Sequence, residues 1–155
     1  MNEKGSLFEY FWKGFNVSLI SIGERRSLFN ENNGLMHLTI EKLFDYLSFY
    51  ETGSYLIGIS AFTIYKQSKQ AEIFKDLLGH LTEMSIKNDI ANIEVRTKAE
   101  ALEVIQEIFT SKLTTKGHFF IRIMLYNIKL QTVSNLHLID TLCHPNLKLQ
   151  AVRSC

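Results

Sequence analysis

The chain has 155 residues and a formal net charge of +1, with 17 Lys and Arg against 16 Asp and Glu. Its length predicts one domain over residues 1–155, and its 46% hydrophobic residues argue against a largely disordered chain. The balanced charge argues against a free-standing nucleic-acid binder, because such proteins carry a basic excess that neutralises phosphates.

Cysteine use and hydropathy indicate the compartment. The two cysteines, Cys143 and Cys155, form no CxxC pair and are typical of free thiols in a reducing environment. Residues 1–5 are polar and do not resemble a signal peptide. The longest nearly uncharged apolar run, residues 55–65, is well short of the ~20 residues that span a bilayer. We therefore expect a soluble cytoplasmic protein without a membrane span and without a cofactor.

A single proline, Pro145, and apolar residues repeated at helical spacing indicate a helix-rich protein. We predict a mainly α fold: one helical domain of six or seven helices, globin-like or bundle-like. The alternative is an α+β fold with a small sheet, built from residues 92–96 and 119–130.

The first predicted helix begins at a capping box, Ser6 to Glu9, in which the serine hydroxyl and the glutamate satisfy exposed amides. Apolar residues at steps of three and four then extend the helix to about Gly23. A polar loop over residues 24–34 precedes a second helix, which Thr39 caps and Gly53 ends.

Residues 55–65 are ambiguous, because their apolar residues fit both a strand and a helical face. Ser68 is expected to cap a third helix that runs to about Met84, whereas residues 92–96 alternate like a strand. A second capping box, residues 97–100, predicts a helix directly behind it.

Residues 119–130 are a second ambiguous run, since their isoleucines favour a strand and their length favours a helix. A last helix is predicted over residues 136–142; it should stop near His144, because the residue before a proline avoids the α region. Ten apolar residues of these elements are expected in the core: Phe11, Phe15, Leu43, Leu47, Phe74, Leu77, Leu81, Leu102, Ile105 and Phe109.

Three histidine and aspartate residues near the end of the chain have a spacing that a metal site would use. His137, Asp140 and His144 would align on one side of a helix, and two imidazoles with a carboxylate can bind a transition metal. Because Pro145 interrupts the helix at His144, we interpret the group as a polar surface and predict no metal.

Two further charged groups are interpreted as solvated faces. One consists of carboxylates that lie opposite an apolar helix face: Glu100, Glu103 and Glu107. The other consists of lysines, which nearby acidic residues interrupt: Lys66, Lys69 and Lys75. The sequence therefore contains no convincing catalytic, phosphate-binding or metal-binding motif, and we predict that the protein is not an enzyme.

Four aromatic residues, Phe8, Phe11, Trp12 and Phe15, are predicted on one face of the first helix. They supply more ring area than one side of a small core usually needs, and large exposed apolar patches are uncommon on monomers. We therefore assign this stripe as the candidate surface for a ligand or partner.

Short segments between residues 62 and 138 follow an order that resembles the second part of a LAGLIDADG homing-endonuclease domain. The segments are Phe62-Thr63-Ile64, Ile93-Glu94-Val95, Ala101-Leu102-Glu103-Val104-Ile105 and Leu113-Thr114-Thr115-Lys116. The family's defining helix would be residues 55–61, which hold no acidic residue to bind a metal. The resemblance thus implies a nucleic-acid-binding relative without catalytic carboxylates.

The first half of the chain resembles the helical, non-haem globin-like sensor domains of sporulation histidine kinases. Leu7-Phe8-Glu9-Tyr10-Phe11-Trp12 and Asn33-Gly34-Leu35-Met36 carry this resemblance, which implies a helical sensor. Neither resemblance is adopted as the family of the chain.

Together these observations favour a non-enzymatic sensing or interaction module. It would bind a partner helix or a small apolar ligand through the aromatic face, or it would self-associate as a dimer. The alternative is the degenerate LAGLIDADG-like nucleic-acid-binding protein.

Overall fold

A computed structural model of the chain describes residues 12–22, 34–66, 72–79, 90–112 and 118–141. These residues form two helices, α1 (Leu35–Leu47) and α2 (Lys98–Lys112). They also form six strands, which are β1 (Val17–Ile22), β2 (Tyr55–Lys66), β3 (Glu72–Asp76), β4 (Ile93–Val95), β5 (His118–Asn127) and β6 (Thr132–Thr141).

The six strands form one sheet in the order β1-β6-β5-β2-β3, and β4 also pairs with β2. All pairings are antiparallel except that of β1 with β6, which is parallel. Strand β2 pairs with β4 near Gly58 and with β3 from Phe62 onward, so both short strands share the edge of β2 that β5 leaves open. The centre of the sheet is the antiparallel trio β2, β5 and β6.

The prediction of a mainly α domain is wrong, because the described residues form an α+β fold dominated by this sheet. The helix predicted over residues 136–142 is strand β6, in which Leu136 and Leu138 are buried on one face and His137 between them is only half-buried. That alternation is a period of two, which pairing with β5 imposes and a helical pattern cannot satisfy.

Two other predicted helices are also strands where the structure describes them. Residues 17–22 of the first predicted helix form β1, and residues 72–76 of the third form β3. Both ambiguous runs are strands, β2 and β5. In each case pairing with another strand supplies the backbone hydrogen bonds, and this pairing overrides local preference.

The two helices begin with different signals. Thr39 lies inside α1 rather than at its cap, and its hydroxyl donates to the carbonyl of Leu35 at 2.6 Å. Helix α2 begins where the capping box predicts, and the amide of Glu100 donates to the Thr97 hydroxyl at 3.2 Å. The Glu100 carboxylate accepts from the amide of Arg96 at 2.7 Å, one residue before the predicted Thr97 amide.

One face of the sheet and the two helices enclose the core. Strand β5 shows the rule: Phe119, Ile121, Ile123 and Leu125 are buried, whereas the residues between them are partly exposed. The buried residues of the helices pack on this face, and they are Met36, Ile40, Leu43, Leu47, Ala101, Val104, Ile105 and Ile108.

The predicted core is right for Leu43, Leu47, Leu77 and Ile105, which are buried, while Leu102 and Phe109 are partly buried against the core. It is wrong for two phenylalanines. Phe15 is 58% exposed and Phe74 is 51% exposed, because the first lies before β1 and the second points to the face of β3 away from the helices.

Some predictions fall outside the residues that the structure describes. They include Phe11 and Leu81 of the predicted core, and the single domain over residues 1–155 stays a prediction. Neither described helix has the length and apolar character needed to cross a membrane.

Two phenylalanine substitutions test where the core lies. Phe119→Ala removes a ring that is 1% exposed and should lower the free energy of unfolding by about 3–5 kcal/mol. Phe74→Ala removes a ring that is half in water and should cost no more than about 1–2 kcal/mol. Urea denaturation followed by circular dichroism measures both free energies of unfolding. Equal losses in the two variants would mean that the core has been assigned to the wrong face of the sheet.

Candidate functional site

Trp12 lies in an aromatic cluster at one end of the sheet. Its ring stacks on Tyr50, with centroids 3.8 Å apart, and meets the edge of Tyr55 at 6.0 Å. The hydroxyl groups of Tyr46 and Tyr50 share a hydrogen bond of 2.8 Å. The cluster therefore joins the segment before β1 to the end of α1 and the start of β2.

The buried amide of Asn127 holds this end of the sheet together. Its Nδ2 donates to the carbonyl of Trp12 at 3.3 Å, and its Oδ1 accepts from the amide of Leu130 at 3.0 Å. The next amide, that of Ile128, donates to the carbonyl of Ser54 at 2.9 Å. Three chain segments thus meet at the turn between β5 and β6.

A second contact fixes Phe15 beside the same turn. Gly14 has φ of +95° and lies against Thr132, where a side chain on residue 14 would be strained. Asn16 Oδ1 accepts from the amide of Asn135 at 3.0 Å and from its Nδ2 at 3.2 Å. Residues 14–16 therefore run along the start of β6.

Large apolar side chains are exposed around this turn. We call the following set the apolar end: Phe15, Phe49, Leu56, Ile128, Leu130 and Val133, with exposed fractions from 42% to 86%. Leu56 and Val133 lie in one row, on either side of Tyr126. Where such side chains form one patch, the patch marks an interaction surface more often than an inert one.

The described residues of the predicted aromatic stripe do not lie on one helix face. Trp12 is half-buried in the tyrosine cluster and Phe15 is exposed beside β6, while Phe8 and Phe11 lie outside the described residues. The partners that sequence reasoning missed are the three tyrosines and the turn over residues 128–131. The i, i+4 spacing of Tyr46 in α1 and Tyr50 just after it was a usable signal.

The other polar groups do not gather into a site. His137 and Asp140 lie on opposite faces of β6, and His144 is outside the described residues. Across the described segments no three metal-ligating side chains cluster. Glu100 and Glu103 are exposed on α2, and Lys75 is exposed on β3.

A polar row crosses the face of the sheet that points away from the helices. Register places Ser60, Arg122 and His137 side by side on β2, β5 and β6. Arg122 Nε donates to the Ser60 hydroxyl at 3.1 Å. Burial, and then the positive charge of Arg122, lower the pKa of His137 below its ordinary value.

Comparison with known proteins supports the fold alone. The sequence matches no protein-family model and no curated protein. The described fold is similar to a fast kinesin, whose structure was studied for its ATPase mechanism and its interactions with microtubules. The TM-score is 0.57 at 14% identity, and the match covers 86% of this chain but only 46% of the kinesin chain.

The fold comparison also bears on the sequence resemblances. Residues 55–61, which the LAGLIDADG resemblance places in the defining helix, belong to strand β2. The nucleic-acid-binding function that it implies stays a prediction.

The stacked pair of Trp12 and Tyr50 can be tested with one substitution. Tyr50→Leu keeps apolar bulk but removes the stacking ring, so it should lower the free energy of unfolding by about 1 kcal/mol and shift Trp12 emission to the red. Phe49→Leu is the matched control: its ring is 86% exposed, and its effect should stay within about 0.5 kcal/mol. Equal effects of the two substitutions would contradict the stacking.

The lowered pKa of His137 predicts a pH dependence of stability. The unfolded chain binds the histidine proton at a higher pH than the folded chain does. The stability associated with neutral His137 is therefore fully present above the ordinary histidine pKa of about 6.5, and it is lost as the pH falls toward the lower pKa of His137 in the folded chain. His137→Gln should therefore show a shallower loss of unfolding free energy on acidification. The measurement is the free energy of unfolding of both proteins as a function of pH. If it falls equally for the wild-type chain and for His137→Gln on acidification, the lowered pKa of His137 is contradicted.

Proposed function

We propose that the chain is a non-enzymatic interaction module that self-associates through its apolar end. The observation that carries this proposal is the set of six large apolar side chains exposed around the turn between β5 and β6. A second apolar surface would remove them from water at about 25 cal/mol per Å².

A second copy of the chain is the partner that the charge balance favours. The formal net charge is +1, so two copies meet almost no long-range repulsion. Two-fold dimers, in which the same patch lies on both sides, are the commonest assembly of soluble proteins. The rigid tyrosine cluster behind the patch lowers the entropic cost of docking.

The ATPase activity of the kinesin neighbour is not part of the proposal. The phosphate-binding P-loop has the pattern Gly-x-x-x-x-Gly-Lys-Ser/Thr. The glycines of this sequence match that spacing at Gly53 and Gly58, and Ile59 stands where the pattern needs lysine. We also place the protein in the cytoplasm, on the strength of its sparse, unpaired cysteine pattern.

Sedimentation velocity over a range of concentrations tests self-association. The wild-type chain should pass from monomer to dimer as its concentration rises. The double variant Leu130→Glu, Val133→Glu should weaken the dimer by more than about tenfold, since each substitution places a charge in the buried patch.

The matched control adds the same charge to the exposed side of α2, as Gln106→Glu with Thr110→Glu, and should leave the dimerisation constant unchanged. A wild-type chain that stays monomeric at every concentration would overturn the proposal. Equal weakening by the two double variants would overturn it as well, because the effect would then be one of net charge.

A further inference from the structure

The face of the sheet opposite the helices carries an arginine with few partners. Arg122 is half-buried, and its one hydrogen bond to a described residue is the 3.1 Å contact from Nε to Ser60. Within the described segments it makes no ion pair. A guanidinium presents five donors, so Ser60 leaves most of them available. Two carboxylates on this face, Asp76 and Glu94, have other partners. Asp76 accepts from the amides of Leu78 and Ala91, and Glu94 accepts from Arg96 Nε.

The groups next to Arg122 in its row of the sheet are polar and carry no charge near pH 7. His137 lies directly opposite on β6, and its lowered pKa keeps it neutral near pH 7, so it can donate one hydrogen bond without adding charge. On the same face of β6 the residues nearest to His137 are Asn135 and Ile139, which are uncharged. Its register partner on β1 is Ser18. Arg122 therefore dominates the charge at this point.

An aromatic ladder lies next to the polar row. Phe62 stacks on Phe120 with centroids 4.8 Å apart and on Phe74 at the same separation. Phe62 and Phe120 are register partners on β2 and β5, and Ile139 continues their row on β6. On β3 the register partner of Phe62 is Asp76, and Phe74 lies one step further along, opposite Ile64. From β6 to β2 this row is thus apolar, and the adjacent row carries Arg122.

A cavity of about 380 Å³ lies over the junction of these two rows. The side chains that line it are Phe62, Ile90, Phe120, Arg122, His137 and Ile139. This volume lies within the range of small-molecule sites, which are mainly apolar with a few converging polar groups. The cavity combines apolar side chains with one cation that has no ion pair among the described residues. Neither a purely apolar ligand nor a free inorganic anion would use both features.

We propose that this cavity binds a small organic carboxylate with an aromatic or branched apolar body. The carboxylate accepts two hydrogen bonds from the Arg122 guanidinium and one from His137, and the apolar body packs against Phe62, Phe120 and Ile139. A carboxylate pairs with a guanidinium bidentately, which makes this contact both stronger and more directional than one to a lone ammonium.

The site goes beyond the proposed self-association and is separate from the surface that mediates it. Tyr126 is four positions along β5 from Arg122 and lies between Leu56 and Val133 of the apolar end. That separation is roughly 13 Å along an extended strand. Ligand binding and dimerisation can therefore fail independently.

Isothermal titration calorimetry with 2-naphthoate and with its neutral analogue 2-naphthalenemethanol tests the proposal on the wild-type chain. The carboxylate should bind at least about tenfold more tightly than the alcohol, because only the anion pairs with Arg122. Equal affinities, or no binding of naphthoate, would overturn the proposal without any variant.

Three variants locate the site. Arg122→Gln should lower the naphthoate affinity at least about tenfold and leave the alcohol affinity unchanged. Lys75→Gln, which removes one positive charge from the exposed side of β3, should change neither. Leu130→Glu with Val133→Glu should also leave naphthoate binding intact, whereas its loss there would place the ligand at the apolar end and overturn the proposal.

Circular dichroism establishes that Arg122→Gln is folded. If it is not, Arg122→Lys replaces it: this variant keeps the charge and loses the planar pair of donors, so the naphthoate affinity should still fall. Equal naphthoate affinity in Lys75→Gln and in the arginine variant would overturn the proposal.

Discussion

The pairing of β5 with β2 on one side and β6 on the other is the constraint on which the rest of the structure depends. The register aligns Ile59, Ile123 and Leu136 across the three strands, and these residues are fully buried beneath the helices. A slip of one residue in any of the three strands would turn its apolar set to the opposite face. The helices α1 and α2 must therefore pack on the face that this register defines.

The same register determines what remains on the outside. Because side chains alternate, each buried row has a counterpart one residue away on the opposite face, and the half-buried Arg122 and His137 share such a row next to the buried Ile123. The turn that joins β5 to β6 also brings Leu130 and Val133 to one end of the sheet, beside residues 14–16. Two surfaces of different chemistry thus follow from one pairing.

Local signals explain which elements the sequence predicts correctly. Helix α2 is anticipated because Thr97 and Glu100 are only three residues apart and form their hydrogen bonds within one turn. Strand β4 is anticipated from the alternation of Ile93 and Val95. Neither inference requires knowledge of a distant partner.

The failure at β1 comes from the distance along the chain between paired strands. Ile20 pairs in register with Ile139, more than a hundred residues away. The pattern of apolar residues in either segment alone does not predict this pairing. Leu136 and Leu138 also fit a helical stripe when read alone, and only the ladder with β5 decides between the periods.

The role of the aromatic stripe in binding stays a prediction. Of its described residues, Phe15 belongs to the apolar end, whereas Trp12 is half-buried among three tyrosines from the end of α1 and the start of β2. Trp12 and these tyrosines come from three separate segments, and their convergence depends on the buried side chain of Asn127. A polar residue in such a role has no periodic pattern that sequence reasoning can detect.

Hydrogen–deuterium exchange, measured by mass spectrometry at low and high protein concentration, tests most directly whether the sheet creates an apolar end that another copy covers. The amides of β5 should exchange more slowly than those of the edge strands β1 and β3 at both concentrations, since β5 is paired on both sides. Protection should rise with concentration over residues 127–133 and stay constant over α2. Fast exchange in β5 would contradict the central place of this strand in the sheet. A rise in protection over α2 instead of residues 127–133 would contradict self-association through the apolar end.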